Sequence, residues 1–356
     1  MISMHRVLDE HRGNGRQGAG GEIGIGAQRE QVGIERRLAR RLVLAASVFF
    51  FVSLLSPALV HAAGPGVEWE KMTLDQALLK AKDKNRIVMI DVFSDHCMQC
   101  KDMDEQFWST AEGARLADDL IPLQIMSDGP EGAQLGRRFP ILGLPAVLFI
   151  GPDGKEIGRV VGFRGVQSFL DEALGLKSGI DPLPAVEADL AAQPGSFALM
   201  ANAVEEYLFR KREDQARELL DKMVAADKQR TSIEVTRAMS SMGKYYEYFK
   251  QDGEAALTMW KSIVELYPTS AGVASGINGS CKIAVSWGKT ADWIDWICGI
   301  GAKYPDDGRL HYNIAMIAYR QGLKHACLAA SARKAIEKKV GPPNMGEIAA
   351  ALEGKS

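Results

Sequence analysis

Cys97 and Cys100 come shortly after the largely apolar run Arg86-Ile-Val-Met-Ile-Asp-Val-Phe93, and no other feature limits the fold as strongly. A run of this length, apolar but for Arg86 at its start and Asp91, fits a strand covered on both faces. The C-x-x-C spacing at its C-terminal end then sets two sulfurs one helical turn apart. Covalent haem attachment requires a histidine where Lys101 stands. A structural zinc site requires two more ligands, and no second C-x-x-C or neighbouring Cys-His pair accompanies the first. The soft donors His96, Cys97, Met98, Cys100 and Met103 suit Cu(I), although Met98 and Met103 equally suit ordinary helix packing. Thiol–disulfide exchange needs one accessible thiolate to attack and a second thiol to release the mixed disulfide, and Cys97 and Cys100 supply both. No cofactor and no metal are therefore expected.

The neighbouring pattern places this pair in an α/β unit. Leu74, Ala77, Leu78 and Ala81 recur at helical spacing in 72–85, with Thr73 placed to start the helix. After the strand, residues 97–114 are compatible with one helix, 120–126 with a strand and 131–139 with a second helix. Residues 146–150 and 157–161 read as two strands joined by the turn Gly151-Pro-Asp-Gly154, and 166–176 closes the unit as a helix. Cys97, at a helix start, lies near unpaired backbone N–H groups and the positive end of the helix dipole, both of which favour its thiolate.

Asp91, the segment Phe93-Ser-Asp-His-Cys-Met-Gln-Cys-Lys101, Gly143-Leu144-Pro145 and the Gly-Pro-Asp-Gly turn, in this order, resemble the thioredoxin superfamily. Within it the similarity is to the C-terminal periplasmic domain of DsbD-type disulfide reductases, over about residues 67–177. The resemblance implies that Asp91 sits beneath the cysteines and handles the proton of Cys100. It implies a cis bond at Pro145 and pairing of the Leu144 backbone with an extended substrate segment. His96 stands where the family commonly has Trp, and with Leu144 and Pro145 it is expected to border the substrate. Met98-Gln99 also replaces the better-known intervening dipeptides, which bears on redox potential and partner choice.

Arg36, Arg37, Arg40 and Arg41 precede the apolar run Leu42–Val60, and Val60 and Ala62 fit cleavage after Ala62. This reads as a leader and secretory signal over 1–62; the rival reading is an uncleaved membrane anchor, and either exports the rest. Residues 1–34 are Gly-rich and nonperiodic, and Gly18–Gly26 departs from the dinucleotide-binding pattern. A net charge of -2 gives no electrostatic reason to expect nucleic acid as a partner.

Beyond Gly179 the pattern changes. Asp181-Pro-Leu-Pro184 resembles a linker, and the remainder of the chain has helical periodicity. Pro268, Pro305 and Pro342 recur every 37 residues, the first two after Tyr267 and Tyr304, which suggests stacked helix pairs. The spacing of Ala256, Trp260 and Pro268 loosely resembles a tetratricopeptide repeat. The expected organisation is a thioredoxin-like α/β domain over 63–180 followed by an all-α helical-repeat domain over 181–356. Tyr245, Tyr246, Trp260, Trp293 and Trp296 are expected to fill the interhelical core. Cys281 and Cys298 are candidates for a structural disulfide, the alternative being buried free thiols, with Cys327 unpaired in either case. The functional expectation is an exported oxidoreductase acting on protein thiols or disulfides, with a membrane redox partner in view and the repeats recruiting clients. A helical-repeat adaptor for envelope assembly, its thioredoxin-like part a binding module, is the alternative.

Overall fold

The computed structural model describes residues 65–354; the arginine-flanked apolar run and the expected cleavage point lie outside them. Thr73 opens α1 (Leu74–Lys84) through a reciprocal capping box with Gln76, which satisfies two of the N–H groups a helix start leaves open. Strand β1 (Val88–Phe93) pairs parallel with β2 (Ile121–Met126) and antiparallel with β3 (Ala146–Ile150), and β3 pairs antiparallel with β4 (Glu156–Val161). The sheet order is β2-β1-β3-β4. Successive β1 side chains point to opposite faces, and each face has its own core. Val88, Ile90 and Val92 pack with Leu74, Ala77 and Leu135, the last from α4 (Pro130–Arg138). Met89 packs with Met103, Phe107, Trp108 and Phe169, the last from α5 (Val166–Lys177).

The single helix expected over 97–114 is divided. Helix α2 (Met98–Met103) continues as a π-helical turn over Asp104–Trp108, and α3 (Ala111–Ala117) starts afresh. Thr110 causes the break: its hydroxyl donates to the Phe107 carbonyl at 2.7 Å and accepts from the Gly113 N–H at 3.3 Å. Gly113 is needed there, since a Cβ would lie 2.4 Å from the Phe107 carbonyl oxygen.

The remaining described residues are helical: α6 (Leu183–Ala192), α7 (Phe197–Phe209), α8 (Glu213–Ala226), α9 (Ile233–Lys244, continued by a π-helical turn over Tyr245–Lys250) and α10 (Gly253–Leu266). Then come α11 (Val273–Ser286), α12 (Thr290–Lys303), α13 (Gly308–Arg320), α14 (Ala326–Glu337) and α15 (Met345–Leu352). The three repeated prolines follow α10, α12 and α14, the second helices of successive pairs. The first helices α7, α9, α11 and α13 also touch in series, as in a solenoid in which each pair packs on the next; the arrangement is compatible with the tetratricopeptide resemblance. Tyr245, Tyr246, Trp260 and Trp293 are buried as expected, while Trp296 is half-buried and donates to Glu265 at 2.9 Å.

Two expectations are corrected. Asp181–Pro184 is no free linker: Pro182 caps α6 and lies against β4, where a Cβ on Gly158 would come 3.0 Å from its ring. The cysteine pairing also differs. Cys298 is joined to Cys327, with Cα atoms 6.0 Å apart, and Cys281 is the buried free thiol. Cys281 sits on the inward face of α11 among Val273, Ile277 and Ile297, whereas Cys298 and Cys327 flank that core from partly exposed faces.

Candidate active site

Cys97 occupies the cap position of α2, and its sulfur accepts the Cys100 N–H at 3.1 Å. Its own N–H donates to the Ser94 carbonyl at 3.0 Å, fixing the turn out of β1. Cys97 is half-buried and Cys100 buried, and the two form a disulfide with Cα atoms 5.2 Å apart. The more accessible sulfur is therefore the one that receives a backbone N–H, an arrangement that stabilises a thiolate.

Asp91 follows from the alternation of β1. It lies two residues after Met89 and hence on the sheet face covered by α2 and its π-helical continuation. It is 3% exposed, and its Oδ2 accepts from the Gln124 amide at 3.2 Å across the β1–β2 pair. Neither Asp91 Oδ1 nor Trp108 Nε1 has a hydrogen-bond partner among the described residues. Burial pushes the Asp91 carboxyl up to about 7; the Gln124 hydrogen bond and the neighbouring Trp108 oppose this, and the Asp104 charge adds to it. A carboxyl poised there can take or give a proton near neutral pH. Gln124 escaped the sequence reading because its role arises only from strand pairing, which sets it opposite Asp91.

The Leu144–Pro145 bond is cis, and Pro145 is buried. Its carbonyl accepts the Gly162 N–H at 2.8 Å, which ties the loop to the end of β4. Leu144 is half-buried, while His96 and Met98 are exposed beside the cysteines in the chain. A groove of about 700 Å³ lies next to the loop, lined by Val92, Gly132, Leu142 and Leu144 on one side and by Lys244 and Tyr248 on the other. Lys244 donates to the Leu142 carbonyl at 2.8 Å, and burial lowers its pKa. Helical-region side chains thus reach the loop bearing Pro145, a juxtaposition that no local motif encodes.

A mixed sheet carrying a C-x-x-C disulfide at the start of α2 defines the protein's α/β part as a thioredoxin-like domain. Residues 68–152 match the family model described as Thioredoxin-like. The chain is 36% identical over 100 residues to the thiol:disulfide interchange protein DsbD of Cronobacter sakazakii, covering 27% of this chain and 17% of that protein. It is 33% identical over 100 residues to DsbD of Ralstonia nicotianae, covering 27% of this chain and 16% of the relative. The chain thus spans less than a fifth of the length of these relatives. Among solved structures, a DsbH oxidoreductase aligns over 35% of this chain and 92% of its own, with 20% identity and a TM-score of 0.29. The reduced DsbD C-terminal domain of Neisseria meningitidis aligns over 28% of this chain and 91% of its own, with 21% identity and a TM-score of 0.25.

Proposed function

We propose that the protein is an exported thiol–disulfide oxidoreductase that reduces or exchanges disulfides of envelope proteins, with its helical repeats recruiting the client. The observation that carries this reading is the Cys97–Cys100 disulfide at the start of α2, with a buried carboxyl of raised pKa on the covered face of the adjoining strand. Starting from the dithiol, the Cys97 thiolate attacks one sulfur of a client disulfide. A Cys97–client bond forms, and the other client sulfur leaves as a thiolate that takes up a proton. Cys100 gives its proton to Asp91 and attacks the Cys97 sulfur. The client leaves as a dithiol, and the Cys97–Cys100 disulfide remains for a dithiol reductant, such as a membrane redox partner, to restore.

Leu144, Pro145 and His96 border the client in this reading, with the Leu144 backbone pairing with an extended segment. The groove shared by the Pro145 loop and the helical residues Lys244 and Tyr248 supports recruitment by the helical part. The arginine-flanked apolar run supports export. Among the described residues no helix is long and apolar enough to cross a membrane.

Cys100→Ser retains the attacking thiol and lacks the resolving one. After acid quench it is expected to carry a mixed disulfide to Cys97, and Cys97→Ser is expected to carry none. Equal trapping by both variants, or none while the unaltered protein turns over disulfides, refutes the assignment.

A further inference from the structure

Far from α2 in the sequence, a second cluster gathers three metal-binding side chains from two helices. Cys298 lies on α12, Cys327 is the second residue of α14, and His325 caps that helix. One ligand atom from each lies within 4.8 Å of the other two. His325 Nδ1 stands 3.2 Å from Cys327 Sγ and accepts the Cys327 N–H at 3.3 Å, which fixes the nitrogen beside the sulfur; the ring must release this one hydrogen bond to offer its lone pair to an ion. The His325 backbone N–H donates to the Leu352 carbonyl at 2.8 Å, which anchors the cap against the end of α15. His325 is exposed and both cysteines are half-buried, so the cluster is open to solvent from one side. Cys281 does not compete, because burial pushes its thiol up to about 12.

We propose that Cys298, His325 and Cys327, in the dithiol state, form a three-ligand site for a thiophilic divalent cation of the zinc class, and that the Cys298–Cys327 disulfide is the state that cannot bind it. Two thiolates and an imidazole are the donors such an ion prefers over hard cations, and three protein ligands leave a fourth position for water or an incoming thiol. The geometry needs little adjustment. A disulfide holds its sulfurs about 2.05 Å apart. Tetrahedral bonds of about 2.3 Å to zinc set them about 3.7 Å apart, so side-chain rotation of under about 2 Å converts one arrangement to the other. In the redox step a dithiol gives two electrons and two protons to Cys298–Cys327 and becomes a disulfide itself. Binding of the cation then releases the two thiol protons. The site is independent of the roles given to Cys97 and Cys100.

The test uses the full chain with Cys97→Ser and Cys100→Ser, so that no other thiol pair reports. After reduction by a phosphine without oxygen, titration with Co²⁺ is expected to develop thiolate-to-metal charge transfer and tetrahedral d–d bands to one equivalent, both abolished by Zn²⁺. The air-oxidised protein is expected to show neither. Adding Cys298→Ser or Cys327→Ser is expected to remove the charge-transfer band, and His325→Ala to weaken binding by more than about tenfold. Absence of the bands in the reduced protein, or their persistence in either cysteine variant, overturns the site. His325→Ala alters an exposed side chain and stands if the cysteine variants unfold: unchanged affinity in it also overturns the three-ligand assignment.

Discussion

Asp91 illustrates how one buried group couples stability to chemistry. Its carboxyl is raised from 3.8 to about 7 in the folded protein because burial penalises the charge. The fold therefore favours the protonated form. Its contribution to stability is complete below about pH 4 and is lost as the pH rises through about 7. Asp91→Asn keeps an uncharged side chain of similar shape, so urea melts should find it close to the unaltered protein at pH 4. At pH 8 it should be more stable by roughly 1–3 kcal/mol, less than the full displacement of the carboxyl represents. The same change should slow release of the Cys97 mixed disulfide by about a hundredfold, as loss of a proton acceptor does. A variant less stable than the unaltered protein at pH 8 removes the buried charge as the cause. A release rate that does not change removes Asp91 from the proton transfer.

Elements with a local signature were legible in the sequence, and those defined by distant neighbours were not. The buried strand, the Thr73 cap, the hairpin turn and the C-x-x-C helix start each declare themselves within a few residues, and the structure places all four where expected. The break at Thr110 was hidden because threonine also occurs inside helices, and only the close approach of Gly113 to the Phe107 carbonyl demands it. Gln124 as a partner of Asp91, and Cys327 as the partner of Cys298, arise from pairings 33 and 29 residues apart. In the helical part, the repeated prolines announced paired helices but not the contact surface. There Trp260 of α10 fills the space left by Gly243 of α9 and Gly279 of α11, where added Cβ atoms would come within 2.9 and 2.4 Å of its ring. Gly279→Ala should therefore force α10 and α11 apart and destabilise the protein by about 1–3 kcal/mol, seen as a lowered urea midpoint with an altered tryptophan emission. An unchanged midpoint shows that Trp260 can move aside and that these glycines do not set the packing.

Across the whole molecule the α/β part and the helices share an interface that the proline-rich stretch did not foretell. Leu142 is buried in the same cluster as Met200, Tyr207 and Met242, and Val161 packs against it. Arg159 is buried between Glu156, whose carboxylate it meets at 2.5 Å, and Phe209, whose ring its guanidinium covers at 4.2 Å; it also donates to the Pro140 carbonyl. Arg210 donates to the Ile157 carbonyl at 3.2 Å. Residues 63–356 accordingly cluster as one unit. Both cores flanking β1 are nevertheless built from residues 67–176 alone, so a chain ending at residue 180 retains what folds the cysteine site. It loses the cover over Leu142 and Val161 and the stacking on Arg159, which together should lower its stability by several kcal/mol. Residues 64–180 should still reduce a small, unselective disulfide in a Cys97-dependent manner, yet lose preference for clients trapped by the full-length Cys100→Ser protein. Competition between a trapped client and the small disulfide, run on both chains, measures that preference. If the shortened chain keeps a folded circular-dichroism spectrum but cannot reduce even the small disulfide, the helices complete the active site. If it keeps the client preference unchanged, recognition resides in the α/β part, and the groove beside Pro145 does not depend on Lys244 and Tyr248.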